Sequence, residues 1–133
     1  MKVDQRMALS LLLLRWSVAL VLLMWTIDKF VRPEHAAAVY ENFYFIGGLG
    51  ATPFYILGAL ELVLIVAFVA GFRKRLTYGL VLFIHAVSTL SAWRQYFAPF
   101  QDPNLLFFAA WPMLAGCFAL YLLRDMDTIG TVD

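Results

Sequence analysis

The sequence has little charge and almost no cysteine. Only 14% of its 133 residues are Asp, Glu, Lys or Arg, and Cys117 is the single cysteine. One cysteine excludes a CxxC redox pair and an intramolecular disulfide framework. The formal net charge of +1 provides no basic surface for nucleic acid, so we expect no nucleic-acid partner. His35 and His85 are the only histidines, and no spacing of Cys, His or Met indicates a metal site, so we predict none.

Apolar residues are abundant instead. They make up 63% of the chain, and the mean hydropathy is +0.80. A soluble domain of this size cannot bury that much apolar surface, so we expect lipid to surround it. Four apolar segments, at 7–30, 53–72, 76–97 and 104–124, each reach the ~20 residues that cross a bilayer as a helix. The sequence predicts an all-α integral membrane four-helix bundle that forms a single transmembrane domain over residues 1–133.

The basic residues predict the orientation of this bundle. If the N-terminus is cytoplasmic, the cytoplasmic side holds six of them and the opposite side three. The positive-inside rule then places both termini in the cytoplasm of a multi-pass protein. The long outer loop at 31–52 combines acidic residues with aromatic ones, and its Tyr40–Phe45 segment could lie on the outer leaflet as part of a short amphipathic helix.

Three ionisable residues, Arg15, Glu61 and His85, lie near the middle of three of the apolar segments. Counting from the cytoplasmic ends of their segments at 1.5 Å per residue places all three roughly 13–16 Å deep. An unpaired charge at such a depth costs roughly 2.5–3.5 kcal/mol. We therefore predict a buried polar cluster in which Glu61 pairs with Arg15 and His85 lies close by. Such a pair has either a functional role or only the structural role of fixing helix register.

Further polar side chains share helix faces with this cluster. Thr26 and Lys29 lie on the Arg15 side of the first segment, and Ser88, Thr89 and Trp93 continue from His85 in the third. Together they predict a polar seam that runs from the middle of the membrane to its outer face. We interpret these five residues as candidates to line a ligand site, with an interfacial anchor as the alternative role for Lys29 and a hydrogen-bonded structural role for His85.

Several stretches resemble the DoxX-like family of small four-helix bacterial membrane proteins. They are Arg15 in the first segment, "WTIDKF" at its end, "ALELVLIVAFVAGFRKR" around Glu61, "HAVSTLSAWRQYFAPF" and the closing "YLLRDMDT". The similarity covers nearly the whole chain. It implies a protein of the bacterial plasma (inner) membrane that is associated with respiratory, sulfur or oxidative-stress redox chemistry, where some members are quinone-reductase subunits.

Three functions remain open from the sequence. The leading one is a membrane component of a quinone-linked or oxidative-stress oxidoreductase system, with quinone as the candidate cofactor and a redox protein as the candidate partner. The second is a proton-coupled transporter of small solutes with Glu61 and His85 as its relay, which would require a homo-oligomer because four helices leave little room. The third is a non-catalytic assembly or anchoring subunit.

Overall fold

The computed structural model describes residues 1–133 and contains only helices as regular secondary structure. The all-α prediction is therefore confirmed. The helices are α1 (Val3–Val31), α2 (Pro33–Tyr44), α3 (Ala51–Val69), α4 (Lys74–Ser91), α5 (Trp93–Tyr96) and α6 (Ala110–Leu122). Short 3-10 segments cover Asn104–Ala109, which leads directly into α6, and Arg124–Met126, which follows it.

Three of the helical stretches are long and apolar enough to cross a membrane. They are Val3–Val31, Ala51–Val69 and Asn104–Leu122. The segment predicted at 76–97 differs from its expected form, because α4 ends at Ser91 and a separate short helix, α5, follows. The connection at 31–52 contains α2 over more than half of its length, and α2 includes most of the Tyr40–Phe45 segment that was expected to be part of a short helix. Pro33 begins α2, where its missing N–H has no partner to lose.

The four long helices surround one apolar core. α1 packs against α3 and α6, and α4 packs against α6 and α3. Core side chains from all four include Leu11, Phe68, Val81 and Leu120.

The outside of this helix assembly is apolar. Only 23 of 133 residues are buried, whereas Leu60, Val63 and Val66 on α3 are 63%, 70% and 68% exposed. Exposure of such an apolar surface to water is unfavourable, whereas contact with lipid is not.

Both ends of the chain lie at the same end of the helices. The N–H of Val132 donates to the carbonyl of Ala70 at 2.8 Å, and Met126 lines a groove with Val3 and Met7. At Gly71 an added Cβ would lie 2.6 Å from Thr131 Cβ, so only glycine lets the chain approach so closely. We call this the tail end and residues 127–133 the tail.

The opposite end carries the long connections, and we call it the loop end. It contains α2, α5 and the 3-10 segment that precedes α6. These pieces contact one another: the Phe43 and Phe107 rings lie 5.6 Å apart, and Arg94 donates to the carbonyl of Asn42 at 2.9 Å. The loop end is therefore covered by ordered helical structure.

Candidate functional site

Charged side chains inside the helix assembly form two separate clusters, one toward each end. The prediction that Arg15 pairs with Glu61 is wrong. Arg15 forms an ion pair with Asp127 of the tail, whereas Glu61 pairs with Lys29. Glu61 also accepts from Thr26, which follows Arg15 by three turns of α1, or roughly 16 Å along the helix axis.

The depth estimate failed because α1 and α3 are offset along their axes. α1 begins at Val3 and has 29 residues, while α3 has 19. The first turns of α1 extend beyond the turn that joins α3 to α4, where the tail packs beside them. Arg15 therefore lies beside the C-terminal end of α3. Glu61 lies farther along the helices, toward the end that carries the long connections. The depth estimate counts residues from the edges of the apolar segments, and it assumes that the two helices have their cytoplasmic ends at the same depth in the membrane.

The ion pair at the centre of the tail-end cluster is completely buried. The side chains of Arg15 and Asp127 are both 0% exposed. Arg15 donates through Nη1 to Asp127 Oδ1 and through Nη2 to the carbonyl of Ile129, the latter at 2.6 Å. Asp127 Oδ2 accepts from the Tyr78 hydroxyl at 2.6 Å. Lys74 Nζ donates to the backbone carbonyl of Asp127 at 2.6 Å. This cluster ties α1, α4 and the tail together, and its central ion pair has no access to solvent.

The loop-end cluster lies between α1 and α3 and is only partly buried. Lys29 Nζ lies 3.2 Å from Glu61 Oε2, and their side chains are 13% and 25% exposed. Thr26 Oγ1 lies 2.8 Å from Glu61 Oε2 and also 2.8 Å from the carbonyl of Leu22, so its single proton is shared between two acceptors. Glu61 Oε1 has no hydrogen-bond partner within the chain. The Lys29–Glu61 pair therefore has unused hydrogen-bond donors and one unused acceptor, and it is accessible from the surface of the protein.

Aromatic rings surround the loop-end cluster. The Phe30 ring packs on Gly58, where an added Cβ would lie 2.6 Å from a ring carbon, and stacks on Tyr55 at 6.0 Å. Tyr40 of α2 packs edge-on against Phe54 at 5.1 Å. Burial, together with the nearby charge of Glu61, raises the pKa of Tyr40 to about 12, so its hydroxyl stays protonated at neutral pH. The cluster is thus polar at its centre and aromatic around it.

His85 belongs to neither charged cluster. It is 1% exposed, and its Nε2 lies 2.9 Å from the carbonyl of Ala110, to which it donates. Its ring stacks on Trp25 with centroids 6.0 Å apart, and its Nδ1 is buried without a partner. No hydrogen bond or ion pair joins His85 to Arg15 or Glu61. The predicted three-residue cluster is therefore divided among three places.

The five candidate lining residues are divided in the same way. Thr26 and Lys29 contact Glu61. Thr89 lies beside His85, with its Oγ1 3.2 Å from Nε2 and donating to the His85 carbonyl at 2.7 Å. The carbonyl of Ser88 accepts a hydrogen bond from the Ser91 hydroxyl, but the Ser88 side chain makes none. Trp93 is 52% exposed. Ser88 and Trp93 are therefore not part of the loop-end cluster.

Sequence reasoning missed Asp127, Tyr78 and Lys74 of the tail-end cluster and Tyr40 beside the loop-end cluster. The last predicted segment ends at residue 124, so Asp127 lay outside the segments in which a counter-charge for Arg15 was sought. Tyr40 was recognised only as an interfacial aromatic residue. The structure contains no group of three or more His, Cys, Asp or Glu side chains that could hold a metal ion.

Comparisons with family models, curated proteins and solved structures give no match to this chain. The resemblance to the DoxX-like family therefore stays a prediction from the residues quoted above.

Proposed function

We propose that this chain is a multi-pass protein of the bacterial plasma membrane with four transmembrane helices and both termini in the cytoplasm. Three long apolar helices support membrane insertion. α4 supplies the fourth crossing, because its polar residues Tyr78, His85 and Thr89 are buried while Leu80 and Phe83 face outward. The excess of basic residues at the tail end supports a cytoplasmic location for that end.

Cysteine labelling tests this topology. In a Cys117→Ser background, Asn42→Cys should react with a membrane-impermeant maleimide added to intact cells. Arg75→Cys should react only after the membrane is permeabilised. Both positions are exposed in the structure, so failure to react reports the membrane and not burial in the protein. The reverse pattern would overturn the orientation, and reaction of both positions in intact cells would overturn the four crossings.

We further propose that the protein is the membrane component of a quinone-linked or oxidative-stress oxidoreductase system and that the loop-end cluster binds the quinone headgroup. The observation that carries this proposal is the partly exposed Lys29–Glu61 pair within an aromatic surround. The redox class itself comes from the resemblance to the DoxX-like family. A soluble redox protein would be the partner that supplies or removes electrons.

The chemistry of the pair suits both redox forms of a quinone. An ammonium group has three donors, and Lys29 uses one on Glu61, so it can donate to a quinone carbonyl. Glu61 Oε1 is free to accept from a hydroquinone hydroxyl. Phe30 and Tyr55 offer flat apolar surfaces beside the pair for the ring. One donor and one acceptor side by side therefore match a ligand that changes from acceptor to donor on reduction.

The transporter alternative has less support. Its proton relay requires Glu61 and His85 to exchange a proton, but no hydrogen bond joins them. The alternative of an assembly subunit is favoured by the tail-end cluster, which ties three parts of the chain together without a ligand. These functions are distinguished by what the loop-end cluster binds.

A quinone titration tests the proposal. The purified protein in nanodiscs is titrated with a short-chain benzoquinone, and binding is followed by quenching of tryptophan fluorescence, to which Trp25 beside Thr26 should respond. We expect saturable binding that Lys29→Met and Glu61→Gln each weaken by roughly tenfold, equivalent to one lost charged hydrogen bond. Lys2→Met, which removes an exposed cation at the other end, is the control. Equal affinity in all four proteins, or no saturable binding, would contradict the proposal.

A further inference from the structure

A second polar site lies at the tail end, and Lys74 is the one residue that it shares with the tail-end cluster. It is an open groove of about 850 Å³ between the start of α4 and the end of α6. Four cationic side chains line it, and they face only two acidic ones. The cations are Arg73, Lys74, Arg75 and Arg124, and the acids are Asp125 and Asp133.

The cations of this groove have no acidic partners of their own. The ion pairs of the chain involve Arg15, Lys29, Arg32 and His35, and none of the groove cations. Lys74 donates one hydrogen bond to a backbone carbonyl, that of Asp127. Arg124 donates to the Tyr121 carbonyl at 2.7 Å and otherwise lies over the Tyr121 ring. The groove therefore carries two more positive side chains than negative ones, and none of its cations forms an ion pair.

The groove wall already accepts one carboxylate. The backbone N–H of Arg73, at the N-terminus of α4, donates to Asp133 Oδ2. Helix N-termini favour acidic oxygens because their free N–H groups and the helix dipole both present positive charge. The side chains of Arg73, Arg75 and Arg124 line the same groove and form no ion pair.

An apolar stripe leads away from the groove along α4. Leu76 forms part of the groove lining and is 55% exposed. Leu80, Phe83 and Val87 follow on the same helix face and are 41%, 65% and 42% exposed. A free phosphate ion would use the cations and leave this stripe unused. A phospholipid would use both, with its headgroup in the groove and an acyl chain along the stripe.

We propose that the groove binds the phosphate headgroup of an anionic phospholipid from the cytoplasmic leaflet. Basic pockets beside transmembrane helices on the cytoplasmic side attract such headgroups, and each nearby cation contributes about a fivefold gain in affinity. The proposal requires membrane insertion with the tail end inside, but it is independent of what binds at Lys29 and Glu61. A failed quinone titration would therefore leave it unaffected.

Native mass spectrometry from detergent tests the proposal. The protein is mixed with equal amounts of phosphatidylglycerol and phosphatidylcholine, and the retained adducts are compared. We expect a clear preference for phosphatidylglycerol in the wild-type protein. Arg73→Gln with Arg75→Gln should weaken phosphatidylglycerol binding on the order of 30-fold, which is the loss expected for two cations. Arg73→Lys with Arg75→Lys should retain most of the binding, because both charges remain.

The matched control also removes two positive charges at the tail end of the protein, but from residues outside the groove. Lys2→Gln with Arg6→Gln should change phosphatidylglycerol binding less than threefold, since neither residue lines the groove. If this control loses as much as the groove variant, the site is only general surface charge and the proposal fails. Equal retention of both lipids would also overturn it. Inorganic phosphate is added in a separate series, and displacement of the lipid by millimolar phosphate would instead assign the groove to a soluble anion.

Discussion

Arg15 and Asp127 form a completely buried ion pair across 112 positions of sequence. The pair joins the middle of α1 to the tail. The Tyr78 hydroxyl donates a hydrogen bond to the second carboxylate oxygen of Asp127. Two charges without water are stable only when each is paired and hydrogen-bonded. The tail is therefore part of the fold, although its sequence is polar and short.

Asp127→Asn should destabilise the protein strongly. The change leaves the Arg15 charge buried without a counter-charge, which costs about 3–5 kcal/mol. Thermal unfolding in detergent should show a clearly lower Tm. Asp125→Asn, two positions away and exposed, is the control and should have little effect. Combining Asp127→Asn with Arg15→Met should recover part of the loss, and strictly additive effects would contradict a coupled pair.

The helical architecture was predictable because it depends on length and hydropathy. Segments of ~20 apolar residues indicate helices wherever they occur, and α1, α3 and α6 with its preceding 3-10 segment have that form. α4 also appeared in the sequence, although its end at Ser91 did not, because "SAWRQYF" continues the apolar pattern without a stop signal. Composition therefore predicts that a helix exists more securely than where it ends.

The partners of the buried charges were not predictable in the same way. Glu61 and Arg15 were expected to meet because each lies a similar distance from the edge of its apolar segment. The real offset depends on how far α1 extends past its neighbours and on a tail that folds back, and neither has a periodic signal. Thr26 and Lys29 contact Glu61, but they do so at the loop end of α1 and not beside Arg15.

The Lys29–Glu61 pair should contribute less to stability than the buried pair. Both side chains keep some access to the surroundings, at 13% and 25%, which weakens the interaction. A double-mutant cycle with Lys29→Met and Glu61→Gln should give a coupling energy of about 1 kcal/mol. Unfolding in detergent measures it. A coupling as large as that between Arg15 and Asp127 would contradict the difference in burial.

Gly58→Ala should disturb the loop-end cluster through Phe30. The added Cβ would lie 2.6 Å from the Phe30 ring, so the ring must move and lose its stacking on Tyr55. We expect a loss of about 1–3 kcal/mol, which is typical of overpacking. Gly79→Ala is the matched control, since its Cβ would meet nothing closer than 3.4 Å. Adding Phe30→Leu to Gly58→Ala should restore stability, and a Tm equal to wild type in Gly58→Ala alone would disprove the close contact.

Tyr40 should make stability depend on pH in the alkaline range. Burial first, and then the charge of Glu61, raise the pKa of its hydroxyl from 10.0 to about 12 in the folded protein. The folded state therefore holds this proton more tightly than the unfolded state. The resulting stabilisation is fully present below pH 10 and is lost as the pH rises from 10 toward 12. Tyr40→Phe should remove this part of the pH dependence.

Ultraviolet absorbance measures the titration directly, because a phenolate absorbs at longer wavelength than a phenol. The difference between wild type and Tyr40→Phe isolates the titration of Tyr40. Glu61→Gln should move that midpoint down toward 10, since it removes the second cause of the shift while leaving burial in place. A midpoint that does not respond to Glu61→Gln would show that the two residues are not neighbours. That result would remove Tyr40, and with it α2, from the surround of the loop-end cluster.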